Sequence, residues 1–163
     1  MNSMERMTET VVETYGLPLF RFAYSYLKNS KDAEDIVQDT LLAMLERQPV
    51  FISESGRKAW LFKVASNKCK NILAHRARKK MVMITPAMEK ELIYLPRKDY
   101  ELLQFVLSLE EKYRVTIHLF YYEGYSIKQI AKILKQKPST IGTWLDRGRK
   151  ILKNILGEQW YGE

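Results

Sequence analysis

Residues 125–152 read YSIKQIAKILKQKPSTIGTWLDRGRKIL, and how they fold decides the architecture. Ser126 stands where a hydroxyl caps a helix, and Ile127, Ile130, Ala131 and Leu134 recur on one helical face. Lys135-Gln136-Lys137 is a short turn. Pro138 suits the first turn of a second helix, where its missing N–H costs nothing, with Ser139 or Thr140 placed to satisfy the free N–H groups. Ile141, Leu145 and Gly148 then face inward, followed by Ile151, Leu152 and Ile155. Small Ala131 sits where the two helices cross closely. This is the layout of a helix-turn-helix, whose second helix lies in the DNA major groove and offers its N-terminal side chains to base edges. Ser139, Thr140, Gly142, Thr143, Trp144, Arg147 and Lys150 remain on the outer face. Thr140 and Thr143 suit bases or phosphates, and Arg147 suits a bidentate contact with guanine or phosphate. Lys128, Lys132, Lys135, Lys137, Arg149, Lys150 and Lys153 add positive charge between 126 and 155, against the single acid Asp146. That bias marks a phosphate-contacting surface rather than a balanced solvated one.

The rest of the chain agrees with an all-α fold. Only 7 Gly and 5 Pro occur in 163 residues, too few for the tight turns of an all-β protein. At 46% hydrophobic and 28% charged the composition is that of an ordinary globular protein. The net charge of +8 points to a polyanionic partner. Cys69 is the single cysteine, so no disulfide forms within the chain, and it reads as a small buried hydrophobe. His75 and His118 lack metal-ligand spacing, and no nucleophile–base pair stands out. The expectation is a protein without cofactor, metal or small-molecule substrate, and not an enzyme. No signal peptide or membrane span is expected, which predicts a cytoplasmic location.

Upstream, helical periodicity predicts a bundle of three helices. Leu17, Phe20, Ala23, Tyr24 and Leu27 mark the first, with Pro18 read as part of its first turn. Ser30 or Asp32 is expected to cap the second, whose inner face carries Ala33, Ile36, Val37, Leu41, Met44 and Leu45 before Pro49 ends it. Residues 50–57 read as a loop. The third, WLFKVASNKCKNILAHRARKK at 60–80, is apolar on one side through Leu61, Val64, Ala65, Cys69, Ile72 and Leu73. It has no Asp or Glu, and carries Lys63, Lys68, Lys70, Arg76, Arg78, Lys79 and Lys80. Residues 81–98 lack a clean period between Pro86 and Pro96 and read either as a linker or as a stretch holding a short packed connecting helix at 87–95. The predicted organisation is therefore two small helical domains, 9–80 and 99–157, joined by the linker 81–98.

The second and third helices carry opposite charges on their outer faces. Asp35, Gln38 and Asp39 form one polar strip, with Asp32 just upstream; acids there also favour the helix dipole. An acidic strip gains nothing from DNA and suits a basic protein partner. Lys63, Asn67, Lys70 and Asn71 fall on one face of the third helix, where amides among cations suit base edges and phosphates. Trp60, at that helix's start, is either a stacking platform for a base or a core residue.

FRFAYSYLKNSKDAEDIVQDTLLAMLE at 20–46 and GRKAWLFKVASNKCKNILAHRARKK at 56–80 together resemble region 2 of an extracytoplasmic-function (ECF) sigma factor. Residues 107–156, from LSLEEKYR through the helix-turn-helix, resemble region 4 of the same family. The resemblance implies a bacterial transcription initiation factor that binds core RNA polymerase and directs it to promoter DNA. It implies polymerase contacts at Asp32, Asp35, Gln38 and Asp39. It implies −10 element contacts at Trp60, Lys63, Asn67, Lys70 and Asn71, and −35 element contacts at Ser139, Thr140, Thr143, Trp144, Arg147 and Lys150. An anti-sigma factor, often membrane-anchored in the family, is a further implied partner. The chain departs from the family pattern at Asn71, often Asp, and at Glu110, often preceded by proline. Trp144 is bulky for the outer face of a recognition helix. The alternative is a helix-turn-helix regulator that binds operators as a dimer without polymerase; an acidic strip and an apolar linker serve no purpose there.

Overall fold

An apolar stripe carries the first helix straight through a proline. The computed structural model describes residues 3–79 and 104–157, and in it α1 runs Ser3–Leu27 with Pro18 inside. Pro18 therefore does not open the helix, contrary to the sequence expectation. The stripe that faces the core is Val11, Tyr15, Leu19, Phe22, Ala23, Tyr26 and Leu27, all buried, while Leu17 is about half exposed. An interior proline costs about 3 kcal/mol and an interior glycine such as Gly16 about 1 kcal/mol. Burying Val11 and Tyr15 upstream returns roughly 1.5–3 kcal/mol each. The Tyr15 hydroxyl also donates to Glu54 Oε2 at 2.8 Å, tying this end of α1 to the third helix.

Helix α2, Ser30–Arg47, is capped by Asn29, one residue before the expected Ser30; its side-chain oxygen accepts from the Asp32 N–H at 3.0 Å. Asn29 is the better cap because its backbone is extended, as an N-cap requires, whereas Ser30 already lies inside the helix. The helix ends at Gln48 in the left-handed conformation, φ 46°. Its buried face is Ala33, Ile36, Thr40, Ala43 and Met44. Val37, Leu41 and Leu45 are only partly buried. Thr40 is accommodated there because its hydroxyl donates to the Ile36 carbonyl at 2.7 Å. Helix α3, Glu54–Lys79, begins inside the expected loop, where Ser53 Oγ accepts from the Gly56 N–H at 3.1 Å.

The three helices pack pairwise around Phe22, Phe62, Leu61, Ala65 and Cys69. The Phe22 and Phe62 ring centroids lie 5.1 Å apart, and Tyr26 meets Phe22 edge-on at 5.4 Å. Tyr26 and Ser66 share a hydrogen bond of 3.1 Å, so both buried hydroxyls are satisfied.

The chain divides into two compact units, Met1–Ile84 and Thr85–Glu163. The linker 81–98 lies outside the described residues, as do Leu102 and Leu103. In the second unit a helical turn at 104–107 precedes α4, Glu111–Ile117. Buried Arg114 reaches back to the Leu109 carbonyl at 2.8 Å. Helix α4 runs into a π-helical turn, His118–Tyr122, which the sequence reading did not foresee. Gly124, φ 70°, then reverses the chain as expected.

Helix α5, Ile127–Leu134, carries a full capping box: Ser126 Oγ accepts from the Gln129 N–H at 3.2 Å, and Gln129 Oε1 accepts from the Ser126 N–H at 2.9 Å. Lys135 takes the left-handed conformation at φ 56°, and Pro138 opens α6, Pro138–Leu156. Ile141, Leu145, Gly148 and Leu152 are buried, as read from the sequence. Ile151 and Ile155 are not; they stand 37% and 46% exposed. The inward face is narrower than the apolar residues because α6 outruns α5 and packs its middle on α4.

Candidate nucleic-acid interface

On α2, Asp35, Gln38 and Asp39 are exposed on the side away from Ile36 and Thr40. Leu42, one turn further on, is 52% exposed and ends the same strip with an apolar residue. The sequence reading passed over Leu42. Its signal was its offset from the inward stripe, since it falls one turn after Gln38 and Asp39. Asp32 stands apart from this strip. It is partly buried and forms an ion pair with Arg76 at the far end of α3. Arg76 is itself only 16% exposed in its side chain, and this burial pulls its pKa below the ordinary arginine value. The pair fastens the start of α2 to the end of α3. From the sequence Asp32 is an expected polymerase contact and Arg76 one of the third helix's cations; in the fold each is taken up by the other.

The outer face of α3 keeps Lys63 and Asn71 exposed and Asn67 and Lys70 half-buried, on one side of the helix. Trp60 is half-buried, edge-on to Phe51 with ring centroids 5.9 Å apart. It lies between the two roles that its sequence position allowed. Arg57 lies over the other aromatic of that pair, 5.4 Å from the Phe51 centroid, while its Nη1 meets Glu54 Oε1 at 2.7 Å. The connection between α2 and α3 also holds Val50 and Ile52, both fully exposed.

On α6, Ser139, Thr143, Arg147 and Lys150 are exposed, and Thr140 and Trp144 partly so. No side chain caps the helix start, contrary to the expectation for Ser139 and Thr140. The reason is that Pro138 occupies the first position and Lys137 the cap, which puts Ser139 and Thr140 inside the first turn. The Thr143 hydroxyl donates to the Ser139 carbonyl at 3.0 Å. Lys150 pairs with Asp146 at 3.1 Å, but both are well exposed, so the pair is worth only a few tenths of a kcal/mol. Lys128, Lys132, Lys135, Lys137 and Lys153 are exposed around this face. Arg149 is turned away, with its Nε donating to the Tyr121 hydroxyl at 2.7 Å.

Among the described residues no group of His, Cys, Asp and Glu is arranged to hold a metal ion. No described helix is long and apolar enough to cross a membrane. Each unit thus carries its own candidate face, made of charge, amides or hydroxyls and a partly exposed indole.

Two family models fit this architecture end to end. Residues 11–79 match Sigma-70 region 2 and residues 100–152 match Sigma-70 region 4. The chain belongs to the sigma-70 family of RNA polymerase sigma factors, a family of non-catalytic initiation factors. Within that family it is of the ECF type. It is 28% identical to the RNA polymerase sigma factor SigV of Bacillus subtilis, over 92% of this chain and 91% of that protein. It is 24% identical to the ECF RNA polymerase sigma factor SigW of the same organism, over 90% and 87%. Among solved structures it resembles the sigma factor RpoE of Bartonella quintana, determined in complex with the anti-sigma factor NepR. There the TM-score is 0.74 at 26% identity, covering 93% of this chain and 98% of that one. The fold is also that of CnrH, with a TM-score of 0.67 at 23% identity. A match to region 2 over residues 11–79, most of the first unit, sets aside the polymerase-independent regulator, which needs only the helix-turn-helix.

Proposed function

We propose that this chain binds core RNA polymerase through the outer face of α2 and directs it to promoters. In this reading α3 meets the −10 element and α6 the −35 element. The observation that carries the reading is the opposite charge of two exposed faces in one small bundle. Asp35, Gln38 and Asp39 offer a basic protein partner an acidic strip, and Leu42 at its C-terminal end adds exposed apolar area beside it. Lys63, Asn67, Lys70 and Asn71 offer cations and amides to an opened strand. Trp60, half-exposed, supplies a ring face at the start of the same helix. Ser139, Thr140, Thr143, Trp144, Arg147 and Lys150 form the upstream reader, with the uncapped N-terminus of α6 toward a phosphate. Asp32 is assigned here to holding α2 against α3 rather than to polymerase. Such a protein works in the cytoplasm, and an anti-sigma factor that covers these faces is its natural off-switch.

The test is capture of core polymerase by the tagged chain. Asp35→Lys with Asp39→Lys reverses the charge of the strip without touching the core, and capture should be lost. Undiminished capture by the double variant removes the docking face from α2.

A further inference from the structure

Arg149 lies two residues beyond Arg147, roughly 200° around the helix, and it faces inward. Its Nε donates to the Tyr121 hydroxyl at 2.7 Å. Its guanidinium carbon lies 5.3 Å from the Phe120 ring centroid and 5.6 Å from that of Tyr121. The two rings meet edge-on, 5.0 Å apart at 76°. Both belong to the π-helical turn, closed by the Glu123 N–H on the His118 carbonyl at 3.2 Å. A π-turn carries an extra residue, which brings neighbouring side chains toward one side, and such turns tend to persist where they serve a function. A guanidinium that stacks on rings while donating from Nε is an arrangement lysine cannot reproduce. Arg149 is also only partly exposed, unlike the lysines around it.

We propose that Arg149 is a positioning residue for α6: its clamp on Tyr121 and Phe120 fixes the rotation of the recognition helix about its buried stripe. The inference rests on the reading of α6 as the upstream promoter reader. The lever is large enough to matter. Outer side chains lie about 5–6 Å from a helix axis, so a rotation of about 15° moves them about 1.5 Å. A bidentate contact tolerates only a few tenths of an ångström before its hydrogen bonds fail. The buried stripe, with Ile117 packed closely on Gly148, holds α6 along one line, and the Arg149 clamp holds it at a second place beside that line.

The experiment uses the full chain in holoenzyme. The probes are the strongest promoter fragment recovered by run-off transcription from a genomic library and the same fragment with its upstream element scrambled. Affinity is measured across a salt series for the wild type, R147A, R149A, R149K, Y121F and the R149K/Y121F double variant. Y121F removes one oxygen and leaves the ring, so its folding is secure. R149K and Y121F should each lower the upstream-dependent affinity about fivefold, with the double variant no worse than either. The slope of affinity against salt should stay at the wild-type value in all three, because no phosphate contact is lost. R147A should lower both affinity and slope, the slope by about one.

Three results overturn the proposal. The first is R149K at wild-type affinity while R149A lowers the slope, which makes Arg149 a phosphate contact. The second is Y121F indistinguishable from wild type. The third is a fall in slope for Y121F to the R147A value, which means that a phosphate contact is lost rather than mis-aimed. If R147A itself changes nothing upstream, the assignment of α6 as reader fails, and that outcome is distinct from the other three.

Discussion

Two glycines in α6 should respond to alanine with opposite signs. A Cβ on Gly148 would come 2.6 Å from Ile117 Cδ1, 3.3 Å from Ile117 Cγ1 and 3.4 Å from Tyr113 Cβ. Ile117 is 1% exposed in α4, and its branched side chain has little freedom to swing aside. A Cβ on Gly142, one and a half turns earlier, would meet nothing within 4 Å. Alanine gains about 1 kcal/mol over glycine in a helix interior, and this is the whole effect expected at position 142. At position 148 the same gain is set against overpacking of about 1–3 kcal/mol. Neither α4 nor α6 can back away without opening the contact between them, so the upper half of that range applies. The net expectation is G148A less stable by about 1–2 kcal/mol and G142A more stable by about 0.5–1 kcal/mol. Native-state hydrogen exchange at the buried Leu145 and Leu152 amides reads the second unit by itself, independently of the first. G148A should speed exchange there and G142A slow it. Slower exchange in G148A, as in G142A, would mean that α4 and α6 do not approach this closely.

Lys63→Ala with Asn67→Ala should reduce permanganate reactivity of unpaired promoter thymines while polymerase capture is kept; unchanged opening removes α3 as the strand-contacting face. Asp32→Asn should cost about 1–2 kcal/mol of stability in the first unit, between the values for exposed and buried pairs, and leave polymerase capture intact. The reverse pattern would return Asp32 to the docking strip. Burial first, and then the hydrogen bond to Glu54, raise the Tyr15 pKa above its ordinary value of 10.0, with Arg57 opposing. A raised folded pKa means stability fully present below about pH 10 and lost as pH climbs through the folded value. The melting temperature of the wild type should therefore fall more steeply above pH 10 than that of Y15F; parallel curves would discount the bond.

Periodicity and capping chemistry are local properties, and the elements that rest on them were legible. The helix-turn-helix is the clearest case. Ser126 forms the cap, Ala131, Ile130, Ile141 and Leu145 are buried, and Gly148 stands at a close approach; only the reciprocal bond of Gln129 was not foreseen. The proline in α1 was not legible, because a local rule favours Pro18 at a first turn. Only burial of Val11 and Tyr15 by α2 and α3, a tertiary term, carries the helix past it. The π-turn at 118–122 has no sequence signature among ordinary aromatic and apolar residues.

The charges show the same division most sharply. Counted along the chain, Asp32, Arg76 and Arg149 belong to the acidic strip, the cations of the third helix and the phosphate face. In the fold each is withdrawn by a partner from another helix or turn: Asp32 and Arg76 by each other, 44 residues apart, and Arg149 by Tyr121, 28 residues apart. What remains outside is fewer charges than the sequence offers, arranged in cleaner faces. Asp35, Gln38 and Asp39 run into Leu42 on one face of α2, with Lys31 one turn upstream, and Arg147 and Thr143 stand on α6 with their inward neighbour already satisfied. In the proposed function, pairing off the charges that would blur each face is therefore part of how one small chain presents a protein-binding surface and a DNA-binding surface without either attracting the other's partner.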